Sequence, residues 1–120
     1  MDYGNAVAEI NKQLKKGIIE ILILKLLSSQ SMYGYQLMQE LDTKSRGVFK
    51  MKEGTLYPIL YRLEDNSLIE SCWEQDSSDR RSVPRKYYRI TKEGRSELVN
   101  MEKELKALLD VVKSIMQWEV

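Results

Sequence analysis

The chain has 120 residues, 42% of them hydrophobic and 31% charged, with a net charge of +1. That suits one domain with a real core plus one protruding element, and it excludes a disordered or membrane-embedded polypeptide. There is no histidine and a single cysteine, Cys72, which excludes a disulfide framework and a zinc finger of the usual type and fits a reducing cytoplasm.

Met1-Asp2-Tyr3-Gly4 lacks the basic lead of a secretion signal, and Ile18–Leu27 is too short to span a bilayer. The charge is unevenly spread. From Lys44 to Arg62 the bases Lys44, Arg46, Lys50, Lys52 and Arg62 face one acid, Glu53. From Arg80 to Arg95 the bases Arg80, Arg81, Arg85, Lys86, Arg89, Lys92 and Arg95 face only Glu93. Acids collect later, at Glu97, Glu102, Glu104, Asp110 and Glu119. A near-neutral chain with two basic segments is polarised, which is the electrostatic footprint of a nucleic-acid binder.

Residues 1–16 are polar but keep Val7, Ile10 and Leu14 at helical spacing, as a first helical segment or a loosely attached arm would. Ile18–Leu27 would suit a buried strand by content, but the pattern extends back through Leu14 and exceeds usual strand length, so a helix is expected. A helix apolar nearly all round must be buried nearly all round, here with help from a second chain. Ser28-Ser29-Gln30-Ser31 reads as a turn with Ser31 as cap, followed by a second helix from Tyr33 to Lys44. Gly47 is a natural left-handed stop, and Val48–Met51 a short extended link.

A third helix is expected over Lys52–Asn66. Leu56, Ile59, Leu60 and Leu63 form its apolar stripe, while Gly54, Pro58, Tyr61 and Arg62 lie opposite, flanked by Thr55 and Tyr57. No acid stands between Thr55 and Leu63. An ordinary solvated face mixes acids with bases; this one suits phosphates and base edges. Pro58 sits a turn in, so the first turn should be loose or kinked, with Gly54 absorbing the strain. Asn66-Ser67 closes the helix, with Asn66 expected in the left-handed conformation.

Leu68–Gln75 reads as a strand with imperfect alternation, Asp76–Pro84 as a basic-tipped loop, and Arg85–Ile90 as a second strand with Lys86, Tyr88 and Ile90 on one side. Of Tyr87 and Tyr88, one should be core and the other packed on the third helix; Trp73 should also be packing. Thr91 is the expected N-cap of a last helix, in which Leu98, Met101, Leu105, Leu108, Val112 and Ile115 alternate steps of three and four. That seam either folds back on the first helix or pairs with a second copy, and pairing is the more economical reading. The expected architecture is mainly α with a small two- or three-stranded antiparallel wing: a winged helix-turn-helix over residues 1–90 and a dimerisation helix over 91–120.

Several pieces, in this order and spacing, resemble the PadR-type transcriptional regulators of bacteria. They are Gly17-Ile18-Ile19-Glu20, Tyr33-Gly34-Tyr35, Glu53-Gly54-Thr55-Leu56-Tyr57-Pro58-Ile59-Leu60 with Arg62-Leu63-Glu64, Leu68-Ile69-Glu70 with Trp73, and Arg85-Lys86-Tyr87-Tyr88-Arg89-Ile90-Thr91 ending in Glu93-Gly94. The resemblance implies a winged helix-turn-helix homodimer that represses transcription from an operator and is relieved by a small molecule, often aromatic. Two features depart from the pattern. Asn66-Ser67 stands where a glycine is usual. The middle of the last helix also lacks the aromatic that some multidrug-sensing members use to stack planar ligands.

The expected partner is double-stranded DNA at a pseudo-palindromic operator, with the two recognition helices of a dimer about 34 Å apart. Lys50, Lys52, Arg80, Arg81, Arg85 and Lys86 would neutralise phosphates. Tyr35, Thr55, Tyr57, Pro58 and Tyr61 belong to the same DNA-binding set. Tyr57 would reach a thymine methyl or a phosphate, and Arg62 a phosphate in preference to guanine. Met101 is a candidate to line an effector cavity. No cofactor and no membrane are implied. The competing reading is a winged-helix module that binds a protein through Tyr57 and Tyr61. An enzyme is set aside, since nothing in the sequence forms a nucleophile–base pair or a phosphate-cradling glycine loop.

Overall fold

The computed structural model describes residues 12–74 and 84–118. The elements run α1 (Lys12–Ser29), β1 (Met32–Tyr33), α2 (Gly34–Lys44), α3 (Glu53–Asp65), β2 (Ile69–Glu74), β3 (Arg85–Ile90) and α4 (Lys92–Met116). The three strands form one antiparallel sheet in the order β1-β3-β2. This is a winged helix-turn-helix with a long carboxy-terminal helix. No helix among the described residues is long and apolar enough to cross a membrane.

The core assembles around α1. Ile19, Ile23, Leu24 and Leu27 are buried on it, against Leu37 and Leu41 of α2, Leu56, Leu60 and Leu63 of α3, and Ile69, Tyr88 and Ile90 of the sheet. The expected near-total burial of α1 is met only on this side. Ile21, Leu22 and Leu26 are half-covered and Leu14 is 64% exposed.

Ser31 is not the cap of α2. Met32 is buried and pairs with Tyr88 while Tyr33 pairs with Tyr87, so the segment before α2 is a strand. Tyr33 is itself the N-cap, with φ −86° and ψ 164° and no side-chain capping bond. One extended residue serves both the ladder and the helix start, leaving no room for a separate serine cap.

Both middle helices end in Schellman motifs. After α2 the Arg46 N–H donates to Thr43 O and the Gly47 N–H to Asp42 O at 2.9 Å, with Arg46 at φ 55° and Gly47 at φ 88°. After α3 the Ser67 N–H donates to Glu64 O at 2.9 Å and the Leu68 N–H to Leu63 O at 3.0 Å. The left-handed residue there is Ser67, at φ 62°, and not Asn66, which keeps φ −85°. Asn66 is the last residue whose N–H makes the regular bond to the carbonyl four residues back, that of Arg62, so the reversal falls one position later. Pro58 does not break α3. The first turn is closed at the N-cap, where Lys52 O accepts from both Thr55 N and Leu56 N at 3.0 Å.

Thr91 caps α4 as expected, its Oγ1 accepting from the Gly94 N–H at 2.9 Å. The same hydroxyl donates to Ser67 O at 2.6 Å, and the Thr91 N–H donates to Leu68 O at 3.0 Å. The start of α4 is thereby latched onto the turn that ends α3. Gly94 lies under this latch, where a Cβ would collide with the Leu68 carbonyl oxygen and come within 2.7 Å of Ile90 Cγ1.

The first part of α4 lies on α1. Leu98 is buried and Met101 packs against the core. Lys25 Nζ lies 3.2 Å from Glu102 Oε1, and Arg95 Nη1 donates to Ser28 O at 3.2 Å. The same stripe then runs out of partners: Leu105 and Val112 are half-buried, Leu108 is 58% exposed and Ile115 75%. The folded-back reading of the seam holds for the first part of the helix only.

Gly94→Ala should destabilise the domain by about 1–3 kcal/mol, because a backbone carbonyl, unlike a side-chain tip, cannot swing aside. Urea denaturation of the two proteins checks this.

Candidate nucleic-acid interface

The exposed ridge of α3 carries Gly54, Thr55, Pro58, Tyr61 and Arg62 on one arc, while Leu56, Leu60 and Leu63 point into the core. Tyr57 lies at one edge of that arc and Ile59 at the other, at about 100° per residue.

On the Tyr57 edge, α3 meets the wing. A hollow of about 360 Å³ is lined there by Tyr33 and Tyr35 before and at the start of α2, Tyr57 and Tyr61 of α3, Trp73 of β2, and Arg85 and Lys86 of β3. Tyr57 leans on Gly34, so closely that a Cβ at that glycine would stand 2.9 Å from its ring Cζ. The glycine lets α2 and α3 approach and half-buries Tyr57, while Tyr61 stays 55% exposed. Tyr35 is 56% exposed and its hydroxyl accepts from Gln39 Nε2 at 3.2 Å.

The cations here are held by aromatic rings. Lys86 Nζ lies 5.5 Å from the Tyr61 ring centre, 5.6 Å from that of Tyr88 and 5.9 Å from that of Trp73. The Arg85 guanidinium lies 5.0 Å over Tyr33. Each such contact is worth about 0.5–1 kcal/mol at an exposed site, enough to orient a flexible side chain without neutralising it. Among the described residues, none that lines this hollow is acidic.

Trp73 departs from expectation. It is 69% exposed, not packed in the core. Side chains of Ile69, Ser71 and Trp73 share one face of β2, opposite Ile90, Tyr88 and Lys86 of β3. Burial fades along that row, because the strand runs out past the core and its last inward residue faces the hollow. Tyr88, not Tyr87, is the core tyrosine and the one nearest α3. Tyr87 lies edge-on to Tyr33 at 5.6 Å. Burial first, and then the neighbouring Tyr57, Tyr61 and Glu64, push the Tyr88 hydroxyl up to about 12.

On the other edge of α3, Lys50, Lys52 and Thr55 border a second hollow with the beginning of α1. Arg62 is directed the same way and pairs with Glu20 of α1, its Nη2 2.7 Å from Oε1. That exposed pair is worth about 0.2–1 kcal/mol, so a phosphate could replace the carboxylate. Arg80 and Arg81 lie outside the described residues. Thus the predicted residues fall into two groups on either side of Pro58, which lies mid-ridge: Tyr35, Tyr57, Tyr61, Arg85 and Lys86 on the wing side, Lys50, Lys52, Thr55 and Arg62 on the α1 side. Tyr33 and Trp73 join the first group and were not expected in it. Their signal was present in the sequence, as aromatic residues on either side of Gly34 and on a strand with few apolar neighbours.

Residues 23–100 match the family described as "Transcriptional regulator PadR-like family". The chain is 34% identical over 97 residues to "Transcriptional regulator Rv3488" of Mycobacterium tuberculosis, covering 81% of this chain and 84% of that protein. It is similar to a PadR family transcriptional regulator from Eggerthella lenta at a TM-score of 0.78 and 32% identity, over 98% of this chain and 97% of that one. A PadR-like transcriptional regulator from Bacillus cereus gives a TM-score of 0.74 and 32% identity, over 89% and 99% of the two chains.

The Tyr88 ionisation has a measurable consequence. Its folded value lies above the ordinary 10 of an unfolded tyrosine, so the stability it confers is fully present below pH 10 and is lost as pH rises toward 12. An alkaline titration followed by ultraviolet absorbance should leave one of the seven tyrosines unionised until the chain unfolds, and Tyr88→Phe should abolish that late step.

Proposed function

The chain belongs to the PadR-like family of transcriptional regulators, and from that premise we propose that it is a sequence-specific DNA-binding repressor. In this reading it acts as a homodimer and is released from its operator by a small molecule. The observation that carries the DNA-binding reading is the wing hollow. Arg85 and Lys86 are presented from β3 beside Tyr35 and Tyr61, with no acid among the described lining residues. With Lys50 and Lys52 on the opposite flank, cations border the ridge of α3 on both sides. That arrangement favours a polyanion over a protein partner, which would not need both flanks charged alike.

The roles divide by chemistry. Arg85, Lys86, Lys50 and Lys52, with Arg80 and Arg81 of the wing tip, attract and register the phosphates. The amino-terminal part of α3 enters the major groove. There Thr55 and Pro58 offer hydroxyl and apolar contacts to base edges, and Tyr61 reaches the groove wall. Tyr57 is braced by Gly34, so it contributes as a fixed edge of that surface.

The projecting half of α4 supports the dimer. Leu108, Leu109, Ile115 and Met116 are exposed on one stripe, continuous with the stripe that Leu98 and Met101 use against the core. An apolar stripe of that kind calls for a covering partner, and a second copy supplies an identical one. Two copies joined there present two recognition helices to successive major grooves.

Two measurements test the reading. In gel shifts against its own promoter region, affinity should fall steeply with salt. Replacing Arg85 and Lys86 with Ala should weaken all DNA alike and lower the salt slope by about one per lost phosphate contact, whereas Thr55→Ala should change the preferred sequence. Absence of any shift at low salt would defeat the proposal. Separately, Leu108→Glu with Ile115→Glu should turn a dimer into a monomer in light scattering at micromolar concentration, with the helical circular dichroism kept.

A further inference from the structure

Three exposed aromatic side chains meet at the wing hollow. Tyr35 at the start of α2, Tyr61 of α3 and Trp73 of β2 are each more than half exposed, and all three line it. Among the described residues Trp118 is the only other exposed aromatic. Tyr88 lines the hollow from below. It is buried, and its hydroxyl has no hydrogen-bond partner among the described residues. Arg85 and Lys86 supply two cations, and the Lys86 ammonium stands among the rings, 5.5 Å from the centre of Tyr61 and 5.9 Å from that of Trp73. Three acids stand around the hollow and outside its lining. Glu53 lies one turn before Tyr57 on α3 and Glu64 nearly one turn after Tyr61. Glu74 is paired with Arg85 on the face of β2 opposite to Trp73.

Duplex DNA uses only part of this. Paired bases show a protein their edges, because their faces are covered by stacked neighbours. Phosphates satisfy Arg85 and Lys86 but leave the exposed ring faces unused. An unpaired base has both faces free. Aromatic side chains beside cations hold such a base, ring against base and cation against phosphate. A space of about 360 Å³ is of small-molecule size, so it takes one base with its sugar and not a run of them. The buried Tyr88 hydroxyl then gains a partner on the base edge, as a buried polar group requires. Lys86 has to leave the rings to admit the base. Each ring contact it gives up is weaker than a stacked base, and the phosphate of the same nucleotide receives the freed ammonium.

We propose that the wing hollow stacks one base of a single-stranded DNA segment. Tyr61 and Trp73 supply the stacking faces, Tyr35 closes the rim, and Arg85 and Lys86 hold the adjoining phosphates. DNA is the strand concerned because the hollow adjoins the ridge of α3. A strand that parts from a duplex laid on that ridge enters the hollow without leaving the cationic flank. That choice of strand rests on the DNA-binding reading above, whereas the stacking site rests on the hollow alone.

The test uses the full chain carrying Trp118→Phe, which leaves Trp73 as its one indole. The probes are a thymidine DNA octamer, its uridine RNA counterpart and an abasic DNA octamer of the same charge. At low salt the thymidine octamer should quench Trp73 fluorescence saturably, and the abasic octamer should not. In anisotropy titrations with labelled probes, Trp73→Ala and Tyr61→Ala should each bind the thymidine octamer about tenfold more weakly. Both should bind the abasic octamer as the parent does, with an unchanged circular dichroism. Lys86→Gln should weaken both octamers alike. No saturable quenching, equal affinity for the abasic octamer, unchanged affinity in both ring variants, or tighter binding of the RNA than of the DNA would each overturn the proposal. If a duplex operator shifts in a gel while the thymidine octamer leaves Trp73 unquenched, the stacking site falls and the DNA-binding reading stands. The reverse pattern sinks that reading and keeps the site.

Discussion

Strand β3 is the constraint on which the remaining geometry depends. It is the central strand, paired on one side with β1, which runs directly into α2, and on the other with β2, which follows the turn after α3. Its buried Tyr88 and Ile90 fix its height over the core. Because Arg85 and Lys86 lie on the same short strand, their distance from both helices of the helix-turn-helix is set by a hydrogen-bonded ladder and not by a flexible loop. A basic side chain attracts DNA wherever it stands; one on a strand also has a register. The aromatic contacts to Lys86 and Arg85 complete this by limiting where the charges can swing.

Two glycines make the close approaches that this arrangement requires. Gly34 admits the Tyr57 ring between α2 and α3, and Gly94 admits the Leu68 carbonyl beneath α4. Around the second, Thr91 acts as donor and acceptor at once, capping α4 and holding the turn after α3. Helix α3 and the carboxy-terminal helix are therefore joined by a short rigid path. If α4 carries the contact between two copies, that path relays the dimer geometry to the spacing of the reading heads.

The charge of the molecule is organised by the two flanks of α3. Lysines and arginines border both hollows beside the ridge, while Glu64, Glu70 and Glu93 gather at the far end of β2 and the start of α4. This separation is what lets a chain of net charge +1 present a cationic face.

Much of this was legible in the sequence because its causes are local. The periodicity of Leu56, Leu60 and Leu63, the capping hydroxyl of Thr91 and the left-handed Gly47 each act within a turn or two of chain, and the elements they define are those found. What the sequence left undecided are the matters fixed between distant residues. Ser31 lost its capping role because Tyr33 is held extended by Tyr87, far along the chain. Arg62 is turned toward Glu20, 42 residues away, and Trp73 is exposed because β2 outruns the core built by other elements. Leu98 and Ile115 have the same spacing and the same chemistry, yet one is buried and the other bare, since α1 covers only the first part of α4. Periodicity states which residues share a face. Only the packed structure states what, if anything, lies against it, because burial is decided by neighbours that no local pattern contains.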